Sequence, residues 1–70
     1  MKVFYDPETD TLDLILNERQ IAESDEARTG IVIDYAADGS IVSIEILEAS
    51  QRVSDPQSLL YELRSKKETA

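Results

Sequence analysis

Carboxylates dominate the side chains able to do chemistry. Asp6, Glu8, Asp10 and Asp13 are spaced so that they resemble a calcium-binding loop. With Asp6 as the first position, the sixth is Thr11 instead of the required Gly. The twelfth is Asn17 instead of the bidentate Glu, so the pattern fails at both diagnostic places. The run reads as an acidic turn, with Asp6 free to accept backbone N–H bonds. A second pair, Asp34 and Glu45, could divide acid and base roles if its surroundings pushed the two pKa values apart. No long loop or positioned cation accompanies that pair in the sequence.

Other catalytic chemistry lacks its parts. The chain has no His and no Cys, so its seven serines have no imidazole base and there is no thiolate nucleophile. Zinc–sulfur sites and disulfides are excluded on the same ground. Gly30 and Gly39 are the only glycines, too few for a phosphate-binding loop. These residues predict no cofactor, no metal site and no catalytic residues.

The elements that must position these groups are short. Met1 to Asp6 alternates as a strand with an aromatic on each face, which leaves its inward side open. A turn at Asp6-Pro7-Glu8-Thr9-Asp10 leads into a strand over 11–16, with Leu12, Leu14 and Leu16 on one side and Asp13 and Ile15 on the other. Residues 17–28 are polar apart from Ile21, Ala22 and Ala27. Two readings compete there: a short edge strand around Gln20 to Ser24, or a helical turn from Ser24. The strand is preferred, because one alanine gives a helix little to bury. Thr29 to Tyr35 and Ser40 to Leu47 form a hairpin about Asp38-Gly39, with Asp34 facing Ser43 and Glu45 a diagonal neighbour. Asp55 then reads as an N-cap and Pro56 as the first position of an amphipathic helix to about Lys66, with Leu59, Leu60 and Leu63 on one side. Residues 65–70 read as a frayed tail.

The expectation is a single α+β domain over 1–70, with an ordered core over 1–64. It is a four-stranded, mostly antiparallel β-meander with one C-terminal helix packed on one face. That helix would cover Leu12, Leu14, Leu16, Ile31, Ile33, Val42, Ile44 and Ile46. The opposite face would mix Ile15, Val32, Ile41, Phe4 and Leu47 with Asp13, Asp34, Ser43 and Glu45. That is more β-branched bulk than a wetted surface needs. Two readings stand level: ordinary strand propensity with scattered surface apolars, or an interface of Asp13, Ile15, Val32, Asp34, Ile41 and Glu45 through sheet packing or partner binding.

Seventy residues with 15 acids against 7 bases give a net charge of -8. Residues 1–26 hold eight acids and two bases, whereas Arg64, Lys66 and Lys67 make the end of the chain mildly basic. This balance argues against nucleic acid, which needs clustered Lys and Arg. It reads as a solvated, soluble surface, or more sharply as an acidic face that steers a basic protein partner. The start of the chain does not read as a signal peptide, and no run approaches the ~18 apolar residues of a membrane span. A chain without Cys fits the cytoplasm. A domain this small exposes about 4,400 Å² when folded, against about 11,500 Å² extended. It has little stability to spare, and a dimer or a complex would add burial.

The residues also carry a family pattern. Tyr5-Asp6 with Asp10, Leu12 and Leu14-Ile15 resembles the opening of small bacterial and archaeal domains of unknown function called DUF2283. Ile31 to Tyr35 followed by Asp38-Gly39 is similar as well. The closest match is Ile41-Val42-Ser43-Ile44-Glu45-Ile46-Leu47-Glu48-Ala49-Ser50, against a signature like G-x-(I/V)-V-G-I-E-(I/L)-L-x-A-S. Ser43 departs from the family's usual Gly. The resemblance covers about residues 1–50. It implies a sheet-plus-helix domain without established enzymatic activity, and an antitoxin-like binding role beside a small toxin.

Physically the signature is structural. Ile44, Ile46 and Leu47 fill the sheet, Ala49 allows close passage at the strand exit, and Ser50 caps the turn that follows. Glu45 has three candidate partners: backbone, Arg52, or another protein. The sequence thus supports a protein-binding module, possible as an antitoxin-like partner of a small basic protein. A homodimeric domain without separable activity is the alternative. A small carboxylate- or metal-dependent hydrolase is the third reading.

Overall fold

The computed structural model describes residues 1–65. Five strands form one antiparallel sheet: β1 (Lys2–Asp6), β2 (Thr11–Ile15), β3 (Glu23–Arg28), β4 (Ile31–Tyr35) and β5 (Ile41–Ile46). Their spatial order is β1-β2-β5-β4-β3. The alternating apolar residues of β1, β2, β4 and β5 supply the β-branched and aromatic side chains that favour a pleated surface. The β1–β2 turn is held by the Glu8 N–H donating to Asp6 Oδ1 at 2.9 Å. In the β4–β5 turn Gly39 takes φ +89°, and Asp38 Oδ1 accepts from the Ser40 N–H and hydroxyl.

The register sorts the side chains. Val3 pairs with Leu14, Tyr5 with Leu12, Leu14 with Ile44, Leu12 with Ile46, Ile44 with Ile33 and Ile46 with Ile31. Cross-strand partners share a face. One face is therefore Val3, Tyr5, Leu12, Leu14, Ile31, Ile33, Ile44 and Ile46. The other carries Phe4, Asp13, Ile15, Val32, Asp34, Ser43 and Glu45.

The architecture corrects the four-stranded meander with a C-terminal helix in three respects. First, there are five strands. The polar segment 17–28 contributes β3 over Glu23–Arg28, wholly exposed at a sheet edge, further along the chain than Gln20 to Ser24. Its charges are compatible with an edge position, where they discourage pairing with other chains. Second, β2 is followed in space by β5. The connection over 16–22 therefore runs from the middle of the sheet to its far edge, passing the β4–β5 turn. There Arg19 donates to Ser40 Oγ at 2.7 Å and meets Asp38 at 3.3 Å.

Third, the helix expected from Pro56 to about Lys66 is absent among the described residues. The one helical element among the described residues is a 3-10 turn at Ala49–Gln51. The N-terminal signal itself is real. Asp55 Oδ1 accepts the Gln57 N–H and its carbonyl accepts the Ser58 N–H. That single turn does not propagate. A segment of about ten residues is too short to be helical without tertiary packing. Leu59, Leu60, Tyr61 and Leu63 are instead 68–92 % exposed. Lys66 and most of the expected frayed tail lie outside the described residues.

Without that helix the sheet is a single layer. With the open segment after the 3-10 turn included, the molecule measures 40 × 32 × 20 Å and has a radius of gyration of 14.3 Å, against about 11 Å for a compact 70-residue domain. Only Ala36, Val42 and Ala49 form a buried apolar core, and no large side chain is fully buried among the described residues.

Candidate functional site

The two faces of the sheet present different chemistry. On the acidic face, Asp13 lies directly opposite Glu45, which lies opposite Val32. In the adjacent row Ile15, Ser43, Asp34 and Ser24 follow one another across β2, β5, β4 and β3. Asp34 is 3 % exposed and fully engaged. Its Oδ1 accepts from the Ser24 hydroxyl at 2.5 Å and its Oδ2 from the Ser43 hydroxyl at 2.6 Å. Loss of solvation works to raise the Asp34 carboxyl. Hydrogen bonds from Ser24, Ser43 and Glu45 outweigh it and hold the group below the usual aspartate value.

Glu45 moves the other way. It shares a hydrogen bond with Asp34, loses solvation, and faces the negative charges of Asp34 and Asp13. Together these push it up to about 7. Asp13 is raised chiefly by loss of solvation, with the charges of Asp34 and Asp6 adding to it. Its Oδ1 is buried without a hydrogen-bond partner.

Opposed pKa shifts are what an acid/base pair requires, but the surroundings of this pair are those of a structural network. Both Asp34 oxygens are occupied by serines from neighbouring strands. Neither of two open grooves among the described residues, one lined by Met1, Val3, Leu59 and Tyr61 and one between Val3, Leu12, Leu14 and Ile46 and the segment from Val53 to Leu59, includes Asp34 or Glu45. No group of three or more His, Cys, Asp or Glu among the described residues is arranged to hold a metal ion.

Five of the six candidate interface residues, Asp13, Ile15, Val32, Asp34 and Glu45, share this face. Ile41 does not join them. A bulge shifts the β4–β5 register so that Ile41 pairs with Tyr35, whose side chain belongs to the apolar face. Glu45 does not meet Arg52. That guanidinium instead donates from Nε to the Leu47 carbonyl at 3.0 Å and packs over Gly30.

The signature residues gather where β5 leaves the sheet. Asp10, at φ +55°, accepts the Tyr5 hydroxyl at 2.6 Å, the Ser50 N–H at 3.0 Å and the Ser50 hydroxyl at 2.7 Å. Ala49 is fully buried and donates its N–H to the Asp10 carbonyl at 2.9 Å. Leu47 donates its N–H to the Gly30 carbonyl at 2.8 Å. This clasp ties the β1–β2 turn to the chain after β5. Ser50 therefore serves Asp10, across 40 positions of sequence, where a local cap was expected. Asp6 and Gly39 shape the two hairpin turns, and Ile44 and Ile46 lie on the apolar face.

The apolar face is the larger feature. Val3, Tyr5, Leu12, Leu14, Ile31, Ile33, Ile44 and Ile46 are all half-buried, none of them fully. An open groove of about 300 Å³ crosses one end of this face, between Val3, Leu12, Leu14 and Ile46 and the segment carrying Val53, Pro56 and Leu59. The rest of the face has no covering element among the described residues.

Fold and surface together define a small single-layer antiparallel β domain built around a structural clasp. Residues 2–50 match the family model described as "Protein of unknown function (DUF2283)", and the chain belongs to that family. No curated protein and no solved structure matches it. Among the described residues no helix is long and apolar enough to cross a membrane.

Proposed function

We propose that this domain is a protein-binding module whose docking surface is the apolar face of its sheet. One observation carries the reading: eight apolar side chains line one face of a single-layer sheet, and none is fully buried. Contiguous apolar surface of that kind marks interaction sites in small domains. A partner would supply the burial that the missing helix does not. This moves the binding surface away from Asp13, Asp34 and Glu45, of which Asp34 is engaged by the Ser24 and Ser43 hydroxyls.

The finer reading is an antitoxin-like partner of a small basic protein in the cytoplasm. It draws its support from the net charge of -8 and from the family resemblance. The hydrolase reading has the opposed pKa shifts of Asp34 and Glu45 in its favour, but neither residue lines the two grooves named above.

Photo-cross-linking in cells tests the proposal. A photoreactive residue replaces Ile33 on the apolar face or Val32 on the other. The expected result is a discrete protein adduct from position 33 and little from position 32. Adducts only from position 32, or none from either, would overturn the proposal.

A further inference from the structure

We infer that two copies of this chain join edge to edge through β1, antiparallel about a two-fold axis at Phe4, into one continuous sheet. The inference concerns the sheet edge and does not depend on the apolar-face reading. Three observations carry it.

The first is an open edge. β1 and β3 end the sheet. Alternate residues of an edge strand turn their N–H and C=O groups outward. Among the described residues no further backbone hydrogen bond reaches those of β1. The two edges are not equivalent. β3 carries Glu23, Asp25 and Glu26 and a register shift between Glu26 and Arg28, and both features discourage an added strand. β1 reads Lys-Val-Phe-Tyr-Asp and pairs with β2 without a shift. Its middle has neither charge nor bulge to turn a neighbour away.

The second is self-complementarity. A two-fold axis normal to the sheet keeps each face on its own side, so only residues of the same face can lie opposite each other. Val3 and Tyr5 share one face, and Lys2, Phe4 and Asp6 share the other. An axis at Phe4 matches the whole strand. Lys2 then lies opposite the partner's Asp6, Val3 opposite the partner's Tyr5, and Phe4 opposite its own counterpart. The opposite charges meet at both ends of the ladder by symmetry. An axis at Val3 or at Tyr5 instead sets Lys2 or Asp6 against the partner's Phe4 and leaves the other charge unmatched. On β3 an axis at Asp25 or Glu26 sets that acid against itself, which like-charge repulsion disfavours.

The third is exposure. Lys2, Phe4 and Asp6 all face solvent, Phe4 by 54 %. The two Phe4 rings meet flank to flank at the axis, with their outer sides still in water. On the apolar face the partner's Tyr5 falls beside Val3, at the open groove lined by Met1, Val3, Leu59 and Tyr61.

Two measurements test the inference. Sedimentation velocity, from low micromolar to millimolar concentration, is run on the unmodified chain, Lys2→Glu, Asp6→Lys and an equimolar mixture of the two variants, each checked for its strand signal by circular dichroism. The expected result is a dimer of the unmodified chain and about tenfold weaker association of each variant alone. The mixture should recover the parent's association, because every facing pair is again opposite in charge. Isotope-filtered NOE spectroscopy on mixed carbon-13-labelled and unlabelled unmodified chains reads the contacts without any variant. It should link the two Phe4 rings, and the Val3 methyls to the partner's Tyr5 ring. A single-chain mass of the unmodified protein at every concentration overturns the inference. So does a dimer whose NOEs arise from β3 or from Ile33 and Ile44, and so does a mixture of folded variants that associates no better than either alone. Should Asp6→Lys lose its strand signal, the NOE contacts decide.

Discussion

Glu45 keeps its proton up to about pH 7, because the carboxyl pair it forms with Asp34 tolerates one charge better than two. The consequence for stability has a definite sign. A carboxyl whose folded pKa is raised contributes stability that is full below its unfolded value, near 4.5, and is lost as pH rises through about 7. Asp13 is shifted in the same direction. Asp34, Asp10 and Asp38 are lowered, so their contributions are lost as pH falls below the ordinary aspartate range. Thermal unfolding across pH should therefore show maximal stability in mild acid and a decline toward pH 8. The Glu45 part of that decline is about 1–2 kcal/mol after solvent screening. Glu45→Gln keeps a donor toward Asp34 and should flatten the decline. A variant that declines as steeply as the parent would contradict this assignment.

Two backbone positions make further residue-scale predictions. Gly30 sits at φ +81°, and a Cβ there would lie 2.5 Å from the Arg52 guanidinium. Gly30→Ala should cost about 1–3 kcal/mol in chemical denaturation. Asp10→Ala removes three hydrogen-bond acceptor contacts at a positive φ, whereas Asp10→Asn keeps the residue type that tolerates that conformation. Melting temperatures should fall in the order parent, Asp10→Asn, Asp10→Ala. The contact of Asp34 with Ser43 was legible in the sequence, because one hairpin sets it. Asp13 beside Glu45 was not, because it depends on β2 lying next to β5. Neither was Ser24, which sits on a strand with no apolar alternation to reveal it.

At the scale of elements, legibility follows hydrophobic periodicity. β2, β4 and β5 alternate clearly, and each appears where the pattern places it to within a residue or two. β3 reads Glu-Ser-Asp-Glu-Ala-Arg and has no side-chain period, because backbone pairing with β4 and its edge position hold it. The end of the chain shows the opposite failure. Asp55, Pro56 and the leucines form a persuasive helical pattern, and Asp55 does cap a turn. A helical pattern whose leucines do not pack on the sheet does not make a short helix. The Ile41 bulge was also hidden, since a one-residue shift leaves no mark on composition. Residues 59–65 keep their side chains largely exposed. A chain ending at Ser58 should therefore retain the strand signal in circular dichroism and lose less than about 1 kcal/mol of stability. Loss of cooperative unfolding in that chain would show that the segment is part of the folded unit.

At the scale of the molecule, a sheet that is apolar on one face must bury that face against something. The sequence pattern supplied a helix for the purpose, and the structure leaves the face half-exposed. The small size and the absence of His and Cys pointed away from catalysis and toward assembly. β-branched bulk beside Asp13, Asp34 and Glu45 suggested an interface there, and the proposed docking surface is the more uniformly apolar face opposite. The central claim is that this apolar face is shielded in solution. Paramagnetic relaxation from a soluble, uncharged gadolinium chelate tests it most directly. The Ile33 and Ile44 methyls should be relaxed several-fold less than the ring of Phe4, which is 54 % exposed on the other face. Relaxation of Ile33 and Ile44 as strong as that of Phe4 would show an open face and contradict the account.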